Sequence, residues 1–191
     1  MTPPNDLERQ LDAELLGRVA TGDEAAFARL YDRFAPGLYS LVLKILRDEK
    51  EAEDVLQEGF AHLWRRASAF DSARSGAFTW AVMVFRHKAI DRLRARSRRD
   101  RTMDLAAREA ERFPAEDDLS ALAPAMRERH AQVRSALDHI PADQKQAVEL
   151  AFFAGLTHEQ IAERLAAPLG TIKARIRRGL LRLRDFMKEG V

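Results

Sequence analysis

Apolar residues along this chain recur at steps of three and four, and few stretches alternate apolar with polar as strands do. Leu11, Leu15 and Val19 form one such series, and Phe27, Leu30, Tyr31 and Phe34 form another. Gly22-Asp23 separates these into two helices, and Pro36-Gly37 predicts a second interruption before an apolar core helix over 38–46. The stretch 51–66 is amphipathic, with Leu56, Phe60, Leu63 and Trp64 on one face and Asp54, Gln57, Glu58 and Arg65 off it. A loop, Ala69-Phe-Asp-Ser-Ala-Arg-Ser-Gly76, precedes a long helix starting near Phe78. Phe78, Val82, Phe85, Ala89 and Leu93 predict its buried stripe, while Trp80, Val84, His87 and Asp91 form a second stripe turned well away. The apolar residues stop after Leu93, and 94–118 has no sustained period, contains Pro114 and reads as a linker.

The sharpest local pattern lies between Gly155 and Gly179. Thr157 with Gln160 three residues on is a capping box, so a helix begins at His158 and buries Ile161, Ala162 and Leu165. Ala167-Pro168-Leu169-Gly170 predicts a tight turn, with Thr171 as N-cap of the next helix. Ile172, Ile176, Gly179/Leu180 and Leu183 are expected to face inward, leaving Lys173, Ala174, Arg177 and Arg178 outward and Arg175 between the two faces. Two short helices, a tight turn and a basic outer face predict a DNA-binding helix-turn-helix, against the plainer reading of an αα-hairpin with a solvated face. No acidic residue stands between Thr171 and Arg184 to balance that face.

Charge strengthens this picture. The formal net charge of the 191 residues is only +2, but it is distributed in blocks: −6 over 1–60, +6 over 86–101, −3 over 102–132 and +6 over 171–188. Two basic stripes with an acidic spacer suggest two contacts with one polyanion. Arginine supplies 26 of the 32 basic side chains, and its planar fork suits phosphates and guanine edges. The absence of cysteine excludes disulfide frameworks, cysteine-ligated metals and thiol nucleophiles. The five histidines are scattered, His158-Glu159 lacks the second histidine of a zincin helix, and no Gly-rich phosphate loop occurs, so the chain reads as no enzyme, with no cofactor and no metal site. No apolar run approaches the roughly 20 residues of a membrane span, and the N-terminus has no signal-peptide core, so the expected location is the cytoplasm without membrane insertion.

Two segments carry a resemblance. The stretch 155–179 resembles region 4 of sigma-70 family initiation factors, and 48–64, Asp-Glu-Lys-Glu-Ala-Glu-Asp-Val-Leu-Gln-Glu-Gly-Phe-Ala-His-Leu-Trp, resembles region 2. With these two regions alone, in the right order, the chain is similar to the extracytoplasmic function (ECF) group of bacterial sigma factors, over about 15–98 and 129–187. The resemblance implies an all-α fold of two small helical domains: a region 2 domain over 1–98, a flexible linker over 99–128 and a region 4 domain over 129–191. It implies core RNA polymerase as partner, through the β′ clamp helices and the β flap, with promoter DNA and an anti-sigma factor that holds the free protein, in some relatives at the membrane. It places Asp54 and Gln57 on the clamp and Phe70, Arg74, Trp80, Arg86, His87 and Lys88 at the −10 element. Thr171, Lys173, Ala174, Arg175, Arg177 and Arg178 fall at the −35 element, with Arg175 nearer the backbone and Thr171 on phosphate. Trp80 is equally compatible with a place in the domain core. The chain departs from the family's Ile-Ala-Arg-Asn with Val84-Phe85-Arg86-His87, so His87 replaces an amide that is both donor and acceptor; a place for His87 between helical layers is the rival reading. Glu116-Asp117-Asp118 is compatible with a linker that mimics nucleic acid in the polymerase channel. The other classes left open are a stand-alone helix-turn-helix regulator and a helical adaptor whose basic faces bind acidic proteins.

Overall fold

The computed structural model describes residues 4–103, 135 and 137–189, and among these every regular element is helical. The chain divides into two units, 1–121 and 122–191. The expected linker beyond Met103, its Glu116-Asp117-Asp118 and the stretch 129–134 lie outside the described residues.

The first unit holds α1 (Pro4–Val19), α2 (Glu24–Leu46), α3 (Glu49–Arg66), a 3₁₀ turn (Ala67–Ala69) and α4 (Ala77–Met103). Gly22, at φ +86, turns the chain between α1 and α2, a conformation that costs glycine little. Asp23 then caps α2: its Oδ1 accepts from the Ala26 amide at 2.9 Å, while Oδ2 accepts from Arg18 Nη2 at 2.7 Å. The Ala26 bond, and after it Arg18, hold the Asp23 carboxyl below its ordinary value of 3.8. A depressed carboxylate stabilises the fold at pH values above the unfolded pKa and loses that contribution as pH falls through the folded one. Amide protection at the start of α2, measured against the intrinsic exchange rate at each pH, should therefore fall as pH drops below about 4, and Asp23→Asn, which caps without titrating, should lack that component.

Pro36-Gly37 does not interrupt the helix; α2 runs through it. The physical reason is tertiary. Ala26, Leu30, Phe34, Leu38, Val42 and Ile45 form one buried stripe across the proline, and each large apolar side chain on it contributes about 1.5–3 kcal/mol. That total exceeds the roughly 3 kcal/mol an interior proline costs. Arg47, in the left-handed region at φ 53, ends α2, and Asp48 begins α3 by accepting from the Glu51 amide at 3.0 Å.

The long helix buries Phe85 and Ala89 of the predicted stripe, but its remaining buried positions are not the large residues expected. Ala77, Ala81, Phe85, Ala89 and Ile90 are buried, whereas Phe78, Val82 and Leu93 are half-buried at its margins. Alanines at four-residue steps let α4 approach closely, and Phe85 fills a notch at Gly59 of α3. Phe85 meets Phe60 edge-on at 5.2 Å, and Phe60 continues the cluster to Phe27 and Tyr31. The helix does not end where apolar residues do but carries on to Met103 through arginines, which are good helix formers. Between α1 and α2, buried Asp12 accepts from Arg33 Nε at 2.7 Å.

The second unit contains α5 (Ala142–Phe152), α6 (His158–Arg164) and α7 (Leu169–Glu189) around Ala147, Leu150, Ile161, Ile172 and Ile176. The capping box forms as the spacing predicts: Gln160 N to Thr157 Oγ1 at 3.2 Å and Thr157 N to Gln160 Oε1 at 2.8 Å. The turn comes two residues earlier than expected. Ala166, at φ 47, starts the reversal, and the Pro168 carbonyl accepts from Ile172 N at 3.1 Å. Thr171 therefore stands inside the first turn of α7 and is not its N-cap, because the helix already starts at Leu169, with its first backbone bond closing on Pro168. Leu180 is likewise not inward: it is 52% exposed, while Gly179 takes the inward position against Val148.

Candidate polymerase and nucleic-acid interfaces

Helix α3 buries Val55, Gly59, Phe60 and Leu63, which turns Asp54 and Gln57 to the exposed side, one turn apart. Asp54 belongs to a ladder of charges between α3 and α4. Glu58 Oε1 accepts from Arg92 Nη2 at 2.8 Å, Glu58 Oε2 lies 3.6 Å from Lys88 Nζ, and Arg92 Nη1 lies 3.9 Å from Asp54 Oδ2. The carboxylates are about half exposed, so solvent screens each pair to less than about 1 kcal/mol. Nearby His62 is held below its ordinary 6.5 by burial and then by Lys88, Arg66 and Arg65. From sequence, Glu58 is placed only on the polar face and neither it nor Arg92 has a partner; the four-residue step from Asp54 to Glu58, matched by Lys88 to Arg92, was the available signal.

At the start of α4 the structure brings two of the −10 candidates together. Phe70, just after the 3₁₀ turn, and Trp80 stand with ring centroids 5.8 Å apart and both are half-buried. Trp80 is thus neither sealed in the core nor fully free. Arg74 is exposed in the loop, where Asp71 caps the turn by accepting from the Ala73 amide at 2.9 Å. His87 is exposed two turns along from Trp80, so it does not pack between helical layers. Lys88 is drawn instead toward Glu58 of α3. Arg86 lies about 120° round the helix from Trp80, half-buried, with burial and then Arg94 pulling its guanidinium below the ordinary arginine range. One face of α4 therefore carries Phe70's partner and His87, and the adjoining face carries the ladder.

In α7, Ile172 and Ile176 anchor the helix and present Lys173, Arg177 and Arg178 to solvent; Thr171, Ala174 and Arg175 are half-buried. Arg178 Nε donates to the Ala174 carbonyl at 3.3 Å. Arg175 is engaged within the protein: its Nε lies 2.9 Å from Oδ2 of Asp143, in the first turn of α5. Glu159, in the first turn of α6, is held below its ordinary 4.5 by a backbone amide and the Thr157 hydroxyl, with Lys173 contributing. The basic face is therefore partly balanced after all, by acids from other helices. Leu180 and Leu181 leave an apolar exposed patch on the same helix.

Among the described residues, no helix is long and apolar enough to cross a membrane. Comparison with known proteins finds that residues 30–99 match the family model Sigma-70 region 2 and residues 130–183 match Sigma-70, region 4. The chain is 40% identical over 188 residues to the ECF RNA polymerase sigma factor SigK of Mycobacterium tuberculosis (strain H37Rv), covering 98% of each. It is 35% identical over 195 residues to SigK of Mycobacterium ulcerans (strain Agy99), again covering 98% of each. Among solved structures, Rhodobacter sphaeroides SigE in complex with the anti-sigma ChrR aligns at 29% identity over 93% of this chain and 98% of that one, with a TM-score of 0.46.

Proposed function

The chain belongs to the sigma-70 family of RNA polymerase sigma factors, in its ECF group, and from that premise we propose how its residues divide the work. It is a transcription initiation factor that binds core RNA polymerase and directs promoter-specific initiation. Bond making belongs to the polymerase, and this chain supplies position and sequence choice. Asp54 and Gln57 dock the first unit on the β′ clamp, where a carboxylate and an amide on one exposed face suit arginine partners. Phe70 and Trp80 wall a base unstacked from the −10 element, with His87 and Arg74 beside the strand and Arg86 toward its backbone. Lys173, Arg177 and Arg178 face the major groove of the −35 element, with Ala174 against a base edge and Thr171, in the first turn, on phosphate. The second unit also meets the β flap, and an anti-sigma factor holds the free protein in the cytoplasm or at the membrane. This last part rests on family membership alone.

The observation that carries the DNA reading is the exposed trio on α7 above a sealed isoleucine core. It favours a sigma factor over a stand-alone regulator because a separate unit carries Asp54 and Gln57 on an exposed face. Run-off transcription by core polymerase plus this chain, on a library randomised at −35 and −10, tests it. Arg178→Ala should flatten base preference at one −35 position, a loss of about 1–3 kcal/mol if its fork reads a guanine. Equal loss on every library member would make Arg178 a phosphate anchor, and no promoter-dependent transcript from wild type would overturn the whole assignment.

A further inference from the structure

The ion pair between Arg175 of α7 and Asp143 of α5 is a restraint on the DNA-reading helix rather than a simple staple. We propose that Asp143 is a specificity-determining residue: it holds the Arg175 guanidinium off the phosphate backbone, so that the recognition helix engages DNA through Lys173, Arg177 and Arg178. The inference rests on the −35 reading above and adds to it a residue outside the helix-turn-helix.

The geometry supports it at several points. Arg175 Nε lies 2.9 Å from Asp143 Oδ2, and the arginine side chain is only 26% exposed. The two helices that carry the pair are also held together further along α7. Gly179 sits against Val148 with no room for a side chain, and Arg182 Nη1 donates to the largely buried Gln144 at 3.2 Å. Asp143, Gln144 and Val148 thus face Arg175, Arg182 and Gly179 along one seam. A helix as basic as α7 binds any duplex by displacing counterions, at about 0.9 in salt slope for each phosphate neutralised. That contribution is blind to sequence, and selectivity is the ratio of specific to non-specific binding. A cation neutralised from within the protein is subtracted from the blind part, while the outward side chains that reach base edges are untouched. Lys173 is moderated in the same sense by Glu159 from α6. Arg177 points about 160° round the helix from Arg175 and Arg178 about 60° round from it, and both are exposed.

The test uses the full chain in holoenzyme with core polymerase, bound to a mixed-sequence duplex and to a −35 library over a range of salt. Asp143→Asn should raise affinity for the mixed-sequence duplex roughly 3- to 5-fold and steepen its salt slope by about 0.9, while selectivity across the library falls. Arg175→Ala placed in the Asp143→Asn background should remove both changes, and Asp143→Glu should preserve wild-type behaviour. A gain that persists in the double variant is a general charge effect and overturns the proposal. So does a lowered melting temperature with an unchanged salt slope, which would make the pair structural. Arg178→Ala separates this from failure of the underlying reading: if it alters library preference while Asp143→Asn alters nothing, only the restraint is lost. If neither alters DNA binding, the −35 assignment and the restraint fall together.

Discussion

Replacing Gly59 with leucine should sharply lower the thermal stability of the first unit. A Cβ at this position would stand 2.3 Å from Phe85 Cε1 and 2.5 Å from its Cζ. The ring has little room to swing aside, because Phe85 is fully buried and meets Phe60 edge-on at 5.2 Å. Overpacking of this kind costs about 1–3 kcal/mol for modest insertions and more for a whole isobutyl group. Gly59→Ala is the milder case, since about 1 kcal/mol of helix propensity offsets part of the overlap. At about 4–8 °C per kcal/mol for a unit of this size, leucine should lower the midpoint by at least 10 °C and alanine by only a few degrees. Both tryptophans, Trp64 and Trp80, lie in the first unit, so their fluorescence follows its unfolding without the second. Phe85→Leu in the Gly59→Ala background should relieve the overlap and cost less than the sum of the two single changes. A Gly59→Leu variant that melts with wild type would mean that α3 and α4 are not packed through this notch.

The same notch explains why some of the molecule was legible in the sequence and some was not. Features decided within four residues read correctly: the Thr157–Gln160 capping box, the break between helices at Gly22-Asp23, the exposed pairing of Asp54 with Gln57. Features decided by contacts between helices did not. Pro36 signals a break locally, but a buried stripe spanning it outweighs the lost hydrogen bond. Alanines at 77 and 81 look unremarkable as a core until Gly59 and Phe85 bring the two helices close. The one-sign face of α7 was real within the helix, yet Asp143 balances Arg175 from 32 positions upstream, where no periodicity reaches. Leu180 follows the inward spacing but is displaced by Gly179, because Val148 leaves no room for a side chain there. The family resemblance named the right regions because it rests on short motifs, and it was silent on Glu58, Arg92 and Asp143, which act between motifs.

The ladder between α3 and α4 bears directly on polymerase docking. Glu58 joins Lys88 and Arg92, and Arg92 reaches Asp54, so the carboxylate proposed to dock on the polymerase already has a cation near it. At 3.9 Å and half exposed, that contact is weak enough to yield to a partner's arginine. Glu58→Gln should therefore change core binding little, whereas loss of Asp54 should change it greatly.

Asp54→Ala with Gln57→Ala should weaken binding to core polymerase by about 2–4 kcal/mol, which is roughly 30- to 1,000-fold, the range of centrally placed contacts that are desolvated on docking. The cost to folding should be small. Gln57 is exposed, Asp54 has only the long contact to Arg92, and surface changes of this kind stay within about 0.5 kcal/mol apiece. Both positions tolerate alanine, which is a better helix former than either residue it replaces. Titrating core polymerase into the labelled chain gives the affinity, and circular dichroism with tryptophan fluorescence shows whether the first unit remains folded. Promoter-specific run-off transcription should fall in parallel and recover at high concentration of the variant, because the residues of α4 and α7 proposed to meet DNA are unchanged. Recovery with concentration is the sign of a docking defect; a folded variant that saturates polymerase normally but still fails to initiate would move Asp54 and Gln57 from docking to promoter opening. Unchanged affinity and unchanged transcription in a folded double variant would remove α3 from the polymerase interface and send the search to the exposed Leu180–Leu181 patch on α7.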